Sequence, residues 1–114
     1  MATYANIYID QGADFRSIVV IEDENTDPLD LTNLTIYGQI RRTYLSDTAY
    51  GFTVTKPSPE DGEVELVLSA DTTEEMHRGR YVYDVFADDV GNGTTFKVLQ
   101  GIAEVIPRVT RSSV

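Results

Sequence analysis

Arg80-Tyr81-Val82-Tyr83-Asp84-Val85-Phe86 is the run whose reading decides the fold. Its residues alternate. Tyr81, Tyr83 and Val85 point one way, and Val82, Asp84 and Phe86 the other, a period of two that belongs to a strand and not to a helix. The run opens after Gly79 and leaves into Asp88-Asp89-Val90-Gly91-Asn92-Gly93, a short glycine-rich link. Beyond that link Phe96 and Val98 alternate against Lys97, so the two runs predict a β-hairpin. Asp84 then stands mid-strand with apolar Val82 and Phe86 on its own face. A carboxylate buried there needs partners, such as an arginine or backbone N–H groups.

Working outward, the same period recurs along the chain. Ala5, Ile7 and Ile9 alternate against Tyr4, Asn6 and Tyr8. Phe15, Ser17, Val19 and Ile21 alternate against Arg16, Ile18 and Val20, both faces partly apolar, which predicts a central strand. Leu34, Ile36, Gly38 and Ile40 face inward against Thr35, Tyr37, Gln39 and Arg41. Tyr50, Phe52 and Val54 share one side of a further strand. Val64, Leu66 and Leu68 oppose Glu63 and Glu65, the pattern of a half-buried strand. Gly101 interrupts the last strand and predicts a bulge or a close backbone approach. Seven strands separated by polar, Pro- and Gly-rich turns predict an all-β, Ig-like antiparallel β-sandwich of about seven or eight strands. One short helical turn is expected after Leu68, with Asp71 as N-cap, Glu74 three residues on and Gly79 as its stop.

The chain has 114 residues, enough for one core and one domain. That domain is expected over residues 1–111, with a polar tail at 112–114. It has no Cys, which excludes disulfides, thiol nucleophiles and cysteine zinc sites. The net charge of −10 argues against nucleic acid and against an anionic membrane, since both need a basic footprint. Seven acids and only Arg16 fall in the first forty residues, whereas Arg41, Arg42, Arg78, Arg80, Arg108 and Arg111 come later. Such separation allows docking to copies or neighbours by charge complementarity. The N-terminus lacks a basic segment followed by an apolar one, so a soluble protein made in the cytoplasm is expected.

No constellation carries catalysis. His77 is the only histidine and no nucleophile-elbow pattern surrounds it. Paired carboxylates abound, but glycoside chemistry needs a sugar-sized cleft between them. Glu22 to Asp27 and Asp88 to Gly93 offer oxygen ligands suited to Ca²⁺, without EF-hand spacing. Neither phosphate-binding glycine motif occurs. No cofactor or metal is expected. Seven tyrosines remain, of which Tyr4, Tyr8 and Tyr37 fall on polar faces and suit a protein interface. Sugar binding through tyrosine clusters, or Ca²⁺-dependent adhesion, is the alternative reading.

Several short motifs carry a family resemblance: Gly12, Asp14 and Phe15 ("G-x-D-F"); Pro28 to Thr32 ("P-L-D-L-T"); Gly79, Tyr81, Tyr83, Asp84 and Val85 ("G-x-Y-x-Y-D-V"); and Leu99, Gly101 and Val105 before Val109 to Arg111. Over residues 6–111 the chain resembles small Ig-like β-sandwich proteins of tailed-bacteriophage virions. These include the N-terminal module of baseplate upper proteins and neck, tail or fibre-attachment accessory proteins. The resemblance implies a non-enzymatic, multi-copy adaptor or accessory protein of the neck, tail or baseplate, assembled in the host cytoplasm. Its partners would be other virion proteins and copies of itself. Because no stalk follows the sandwich, a stand-alone adaptor is expected. The residues expected at its contacts are Tyr4, Tyr8, Tyr37, Arg41, Arg42, Arg108 and Arg111. In this family setting Tyr83 and Asp84 read as a structural clasp, a hydrogen bond pinning sheet to loop.

Overall fold

A computed structural model describes residues 2–111; the expected polar tail at 112–114 lies outside the described residues. The fold is an all-β sandwich. Its strands are β1 (Thr3–Tyr4), β2 (Ile7–Asp10), β3 (Phe15–Val20), β4 (Thr35–Arg41), β5 (Ala49–Gly51), β6 (Thr53–Thr55), β7 (Glu63–Leu68), β8 (Gly79–Asp89) and β9 (Thr94–Ile106). One helix, α1 (Ala70–Glu75), and a 3₁₀ turn at Pro59–Asp61 complete it. The larger sheet runs β1-β9-β8-β4-β5, with β2 also on β9; the smaller runs β3-β7-β6.

The inward residues read from the alternation meet between the sheets. Ile9, Ile40, Val64, Leu66 and Val85 are fully buried, and so is Leu99, which the alternation had not placed inward. Each such side chain contributes about 1.5–3 kcal/mol of transfer free energy. Phe15, Phe52 and Tyr83 form an aromatic chain across the core. Its centroids lie 6.5 Å apart for the first pair and 5.9 Å for the second.

Five details correct the expectations. The sandwich is not wholly antiparallel: β1 and β2 lie parallel to β9. Parallel neighbours need a long connection, and almost the whole chain intervenes between them. The strand around Phe52 is two strands, because the chain leaves the larger sheet after Gly51 and joins the smaller at Thr53. β3 is an edge strand and not a central one, which leaves Ile18 and Val20 exposed. The bulge falls at Val98, since Val85 pairs with Leu99 and Phe86 with Lys97. Gly101 is the close approach, the second of its two expected roles: a Cβ there would overlap the Ala5 carbonyl oxygen. Finally, the α1 N-cap is Ser69, whose hydroxyl accepts from the Thr72 N–H, and the helix ends at Glu75. Met76 turns into the core while Gly79, at φ 123°, opens β8.

Candidate protein interface on the larger sheet

Strand register builds this face rung by rung. Residues paired across neighbouring strands project to the same side. Gln39, Asp84, Gln100 and Tyr4 form one rung across β4, β8, β9 and β1. On one side of it lies the rung Tyr37–Phe86–Lys97. On the other side come Arg41–Val82–Ile102 and then Arg80–Glu104–Tyr8. The solvent face of one sheet therefore carries Tyr4, Tyr8, Tyr37 and Arg41 together, although they lie far apart in sequence. Tyr4 and Tyr8 are each 64% exposed and Tyr37 is 45% exposed. The Tyr37 and Phe86 rings stack at 6.3 Å, and the Lys97 ammonium sits 6.0 Å from the Phe86 centroid. Tyr37 donates to the Asp88 carboxylate at 2.9 Å, which raises its phenol above the ordinary value.

The remaining arginines go elsewhere. Arg42 leaves the sheet face, lies 4.8 Å over the Tyr81 ring and donates to the Arg78 carbonyl. Arg108 pairs with Glu74 at 3.3 Å beside the β2–β3 turn. Arg111 is exposed beyond β9. Of the seven expected contact residues, four share the face and three do not.

Tyr83 lies on the opposite, inner side of β8. Its hydroxyl donates to the carbonyl of Ala5, in the link between β1 and β2. Tyr81 does the same for another loop, donating to the His77 carbonyl at 2.8 Å. On β8 the hydrogen bonds from sheet to loop thus come from the two tyrosines. Asp84 is half-buried on the solvent face, and its carboxylate makes no hydrogen bond among the described residues. It lines a shallow hollow of about 120 Å³ with Gln39, Arg41, Tyr44, Val82 and Tyr83. Sequence reasoning missed Tyr81, whose signal was already present in the Y-x-Y spacing.

The other resemblance motifs also resolve into fold contacts. At Gly12, φ 83°, the N–H donates to the buried Thr73 hydroxyl, which donates to the Ala13 carbonyl. The Asp14 carboxylate accepts from the Ala70 N–H at the start of α1. Asp30 accepts from both the N–H and hydroxyl of Thr32, and these bonds hold its carboxyl below the usual range.

His77 is exposed beside an open hollow lined by Arg42, Ser46, Thr48, Tyr50, Glu75 and Tyr81. The Asp23 carboxylate accepts from the N–H groups of Asn25 and Asp27, and Asp89 accepts from Asn92. No group of three or more His, Cys, Asp or Glu suited to a metal occurs among the described residues. No described helix is long and apolar enough to cross a membrane.

Burial, with the nearby Tyr4 phenol adding, pushes the Tyr83 pKa from 10.0 up to about 12. Only the protonated phenol can donate to Ala5. Because the folded value is raised, this stabilisation is complete below pH ~10 and lost as pH climbs through ~12. Tyr83→Phe is expected to cost about 1–2 kcal/mol at neutral pH. It should also flatten the alkaline decline, read as melting temperature between pH 8 and 12. A variant with the wild-type alkaline profile would refute the role of this bond.

No family model and no curated protein matches the chain. Among solved structures, the fold is similar to part of Listeria monocytogenes InlP, at 13% identity and a TM-score of 0.45. That match covers 94% of this chain and 28% of that one. It is also similar to part of a family 123 glycoside hydrolase from Clostridium perfringens, at 12% identity and a TM-score of 0.44. There the match covers 95% of this chain and 23% of the other. The chain spans roughly a quarter of the length of these structures.

Proposed function

We propose that this chain is a non-enzymatic protein-docking module, a multi-copy adaptor or accessory component of a tailed-phage virion. The observation that carries the docking part is the gathering of exposed Tyr4, Tyr8 and Tyr37 with Arg41, Phe86, Val82 and Ile102 on one sheet face. Aromatic residues and arginine dominate interface hot spots, the aromatics because they bury large area with few rotatable bonds and arginine because its planar guanidinium stacks and hydrogen-bonds. The virion context rests on the sequence resemblance of residues 6–111. The bound partner would be another virion protein.

Two measurements test the reading. Mass spectrometry of gradient-purified particles of the encoding phage should recover the chain in multiple copies; its absence from intact particles refutes the virion role. Replacing Tyr4, Tyr8 and Tyr37 together with serine should lower incorporation at least tenfold, since interface tyrosines are worth on the order of 1–2 kcal/mol each. All three are exposed, so the loss of stability should stay at about 1–2 kcal/mol, most of it from the Tyr37 bond to Asp88, and leave the chain folded at the assembly temperature. Normal incorporation of that triple variant would move the docking surface elsewhere.

A further inference from the structure

We infer that β3 is a self-complementary edge through which two copies of this chain pair about a two-fold axis, joining their smaller sheets into one six-stranded sheet. This deepens the multi-copy part of the proposed function and names the surface that copies use.

The backbone is poised for it. The Ile21 N–H donates to the Gly62 carbonyl, in phase with the β3–β7 ladder. Hydrogen-bonding direction alternates along an antiparallel strand. Phe15, Ser17 and Val19 therefore turn their amides towards β7, while Arg16, Ile18 and Val20 turn theirs to the open edge. No loop or side chain among the described residues takes the outward N–H groups of Arg16, Ile18 and Val20, whereas the next one along, that of Glu22, donates to the Thr3 hydroxyl of β1. Ser17 and Val19 on the inner face are only half-buried, so β3 lies at the margin of the covering sheet.

Natural edges are commonly protected by proline, a bulge, short length or several charges. β3 is six residues long, pairs with β7 without a bulge, and carries Arg16 as its one charge. Ile18 is 54% exposed and Val20 43% exposed on its outer face. The other edge of the same sheet, β6, has three residues and is followed by Lys56 and Pro57.

Two conditions restrict the register. Antiparallel partners must share a face, so Arg16, Ile18 and Val20 can oppose only one another. The outward amides belong to the same three residues. Of the registers that meet both conditions, the one that pairs all three residues sets Ile18 opposite Ile18 of the second copy and each Arg16 opposite Val20. Charge acts both ways in this placement, because Asp14 comes opposite Glu22 of the second copy while Arg16 comes near Glu63. Glu63 is the β7 partner of Val20 and has no cation within salt-bridge distance among the described residues. In its own copy Arg16 pairs with Glu65 at 3.0 Å; in the dimer it would lie two strand spacings, about 10 Å between Cα atoms, from Glu63 of the other copy, near enough to exchange one carboxylate for the other.

The test uses the purified chain, so its failure leaves the particle composition to be judged separately. Sedimentation should show dimer rising with protein concentration. Ile18→Lys should weaken dimerisation at least tenfold, with melting temperature unchanged at concentrations where the parent chain is monomeric. The chain has no cysteine, so single cysteines report register. Ile18→Cys should cross-link readily on mild oxidation, because its Cα would lie about 5.5 Å from its mate. Val20→Cys, about 13 Å from its mate, should not. A chain that stays monomeric to its solubility limit overturns the inference. So does a dimer indifferent to Ile18→Lys, or one in which Val20→Cys links as readily as Ile18→Cys; that dimer would use another surface, such as the tyrosine face.

Discussion

Gly101→Ala is expected to lower stability by about 3 kcal/mol, on the order of 10 °C in melting temperature. The added methyl would overlap the Ala5 carbonyl oxygen, come within 2.7 Å of the Ala5 carbonyl carbon and press on the Tyr83 ring at 3.1 Å. None of these is the far end of a flexible side chain. Relief therefore requires moving the β1–β2 link off β9, which breaks the Tyr83 hydrogen bond and the Ala5 N–H to Gln100 bond of 2.9 Å together. Gly51 is the control, since a methyl there meets nothing within 4 Å. Gly51→Ala should change stability by less than about 0.5 kcal/mol. Thermal or chemical denaturation of the pair decides the matter; equal midpoints would show that the contact at Gly101 yields cheaply.

Phe52→Ala should cost about 3–5 kcal/mol. Phe52 is the residue at which the chain passes from one sheet to the other. Its backbone N–H still donates to Gly38 of the larger sheet at 3.0 Å, and its ring lies between Phe15 of the smaller sheet and Tyr83 of the larger. Truncation opens a cavity at the only point where Phe15 and Tyr83 are bridged by one aromatic group. A double cycle with Phe15→Ala should be non-additive, as neighbours sharing a cavity are. A loss under about 1.5 kcal/mol for Phe52→Ala would show that the core collapses around the gap.

Alternation made the core legible. Every inward residue of β2, β4 and β7 named from the pattern is buried or half-buried, because period two depends only on the pleat. What the pattern could not specify is which strand lies beside which. β3 looked central because Ile18 and Val20 are apolar, yet apolar residues on an outer face say nothing about neighbours. The sheet switch at Phe52 was hidden because a strand can change sheets without breaking its alternation. At Gly101 the missing side chain was visible but its cause was not, since the Ala5 carbonyl that fills the space lies more than ninety residues earlier in sequence. The interface was half legible. Tyr4, Tyr8, Tyr37 and Arg41 could each be assigned to a polar face, but Arg42, one residue past the end of β4, is free of the alternation and turns to Tyr81.

The parallel pairing of β1 and β2 with β9 has a mechanical consequence. Tension applied between residue 2 and residue 107 pulls the start of β1 one way and the end of β9 the other, along the strands and across their hydrogen bonds. Such a load shears the seam: the bonds from Thr3–Leu99 to Asp10–Ile106 resist together and cannot be peeled one at a time. Resistance to forced unfolding is set by the unfolding rate and not by equilibrium stability. The joint between the first and last strands therefore makes this sandwich a stiff link when it is stretched from its ends.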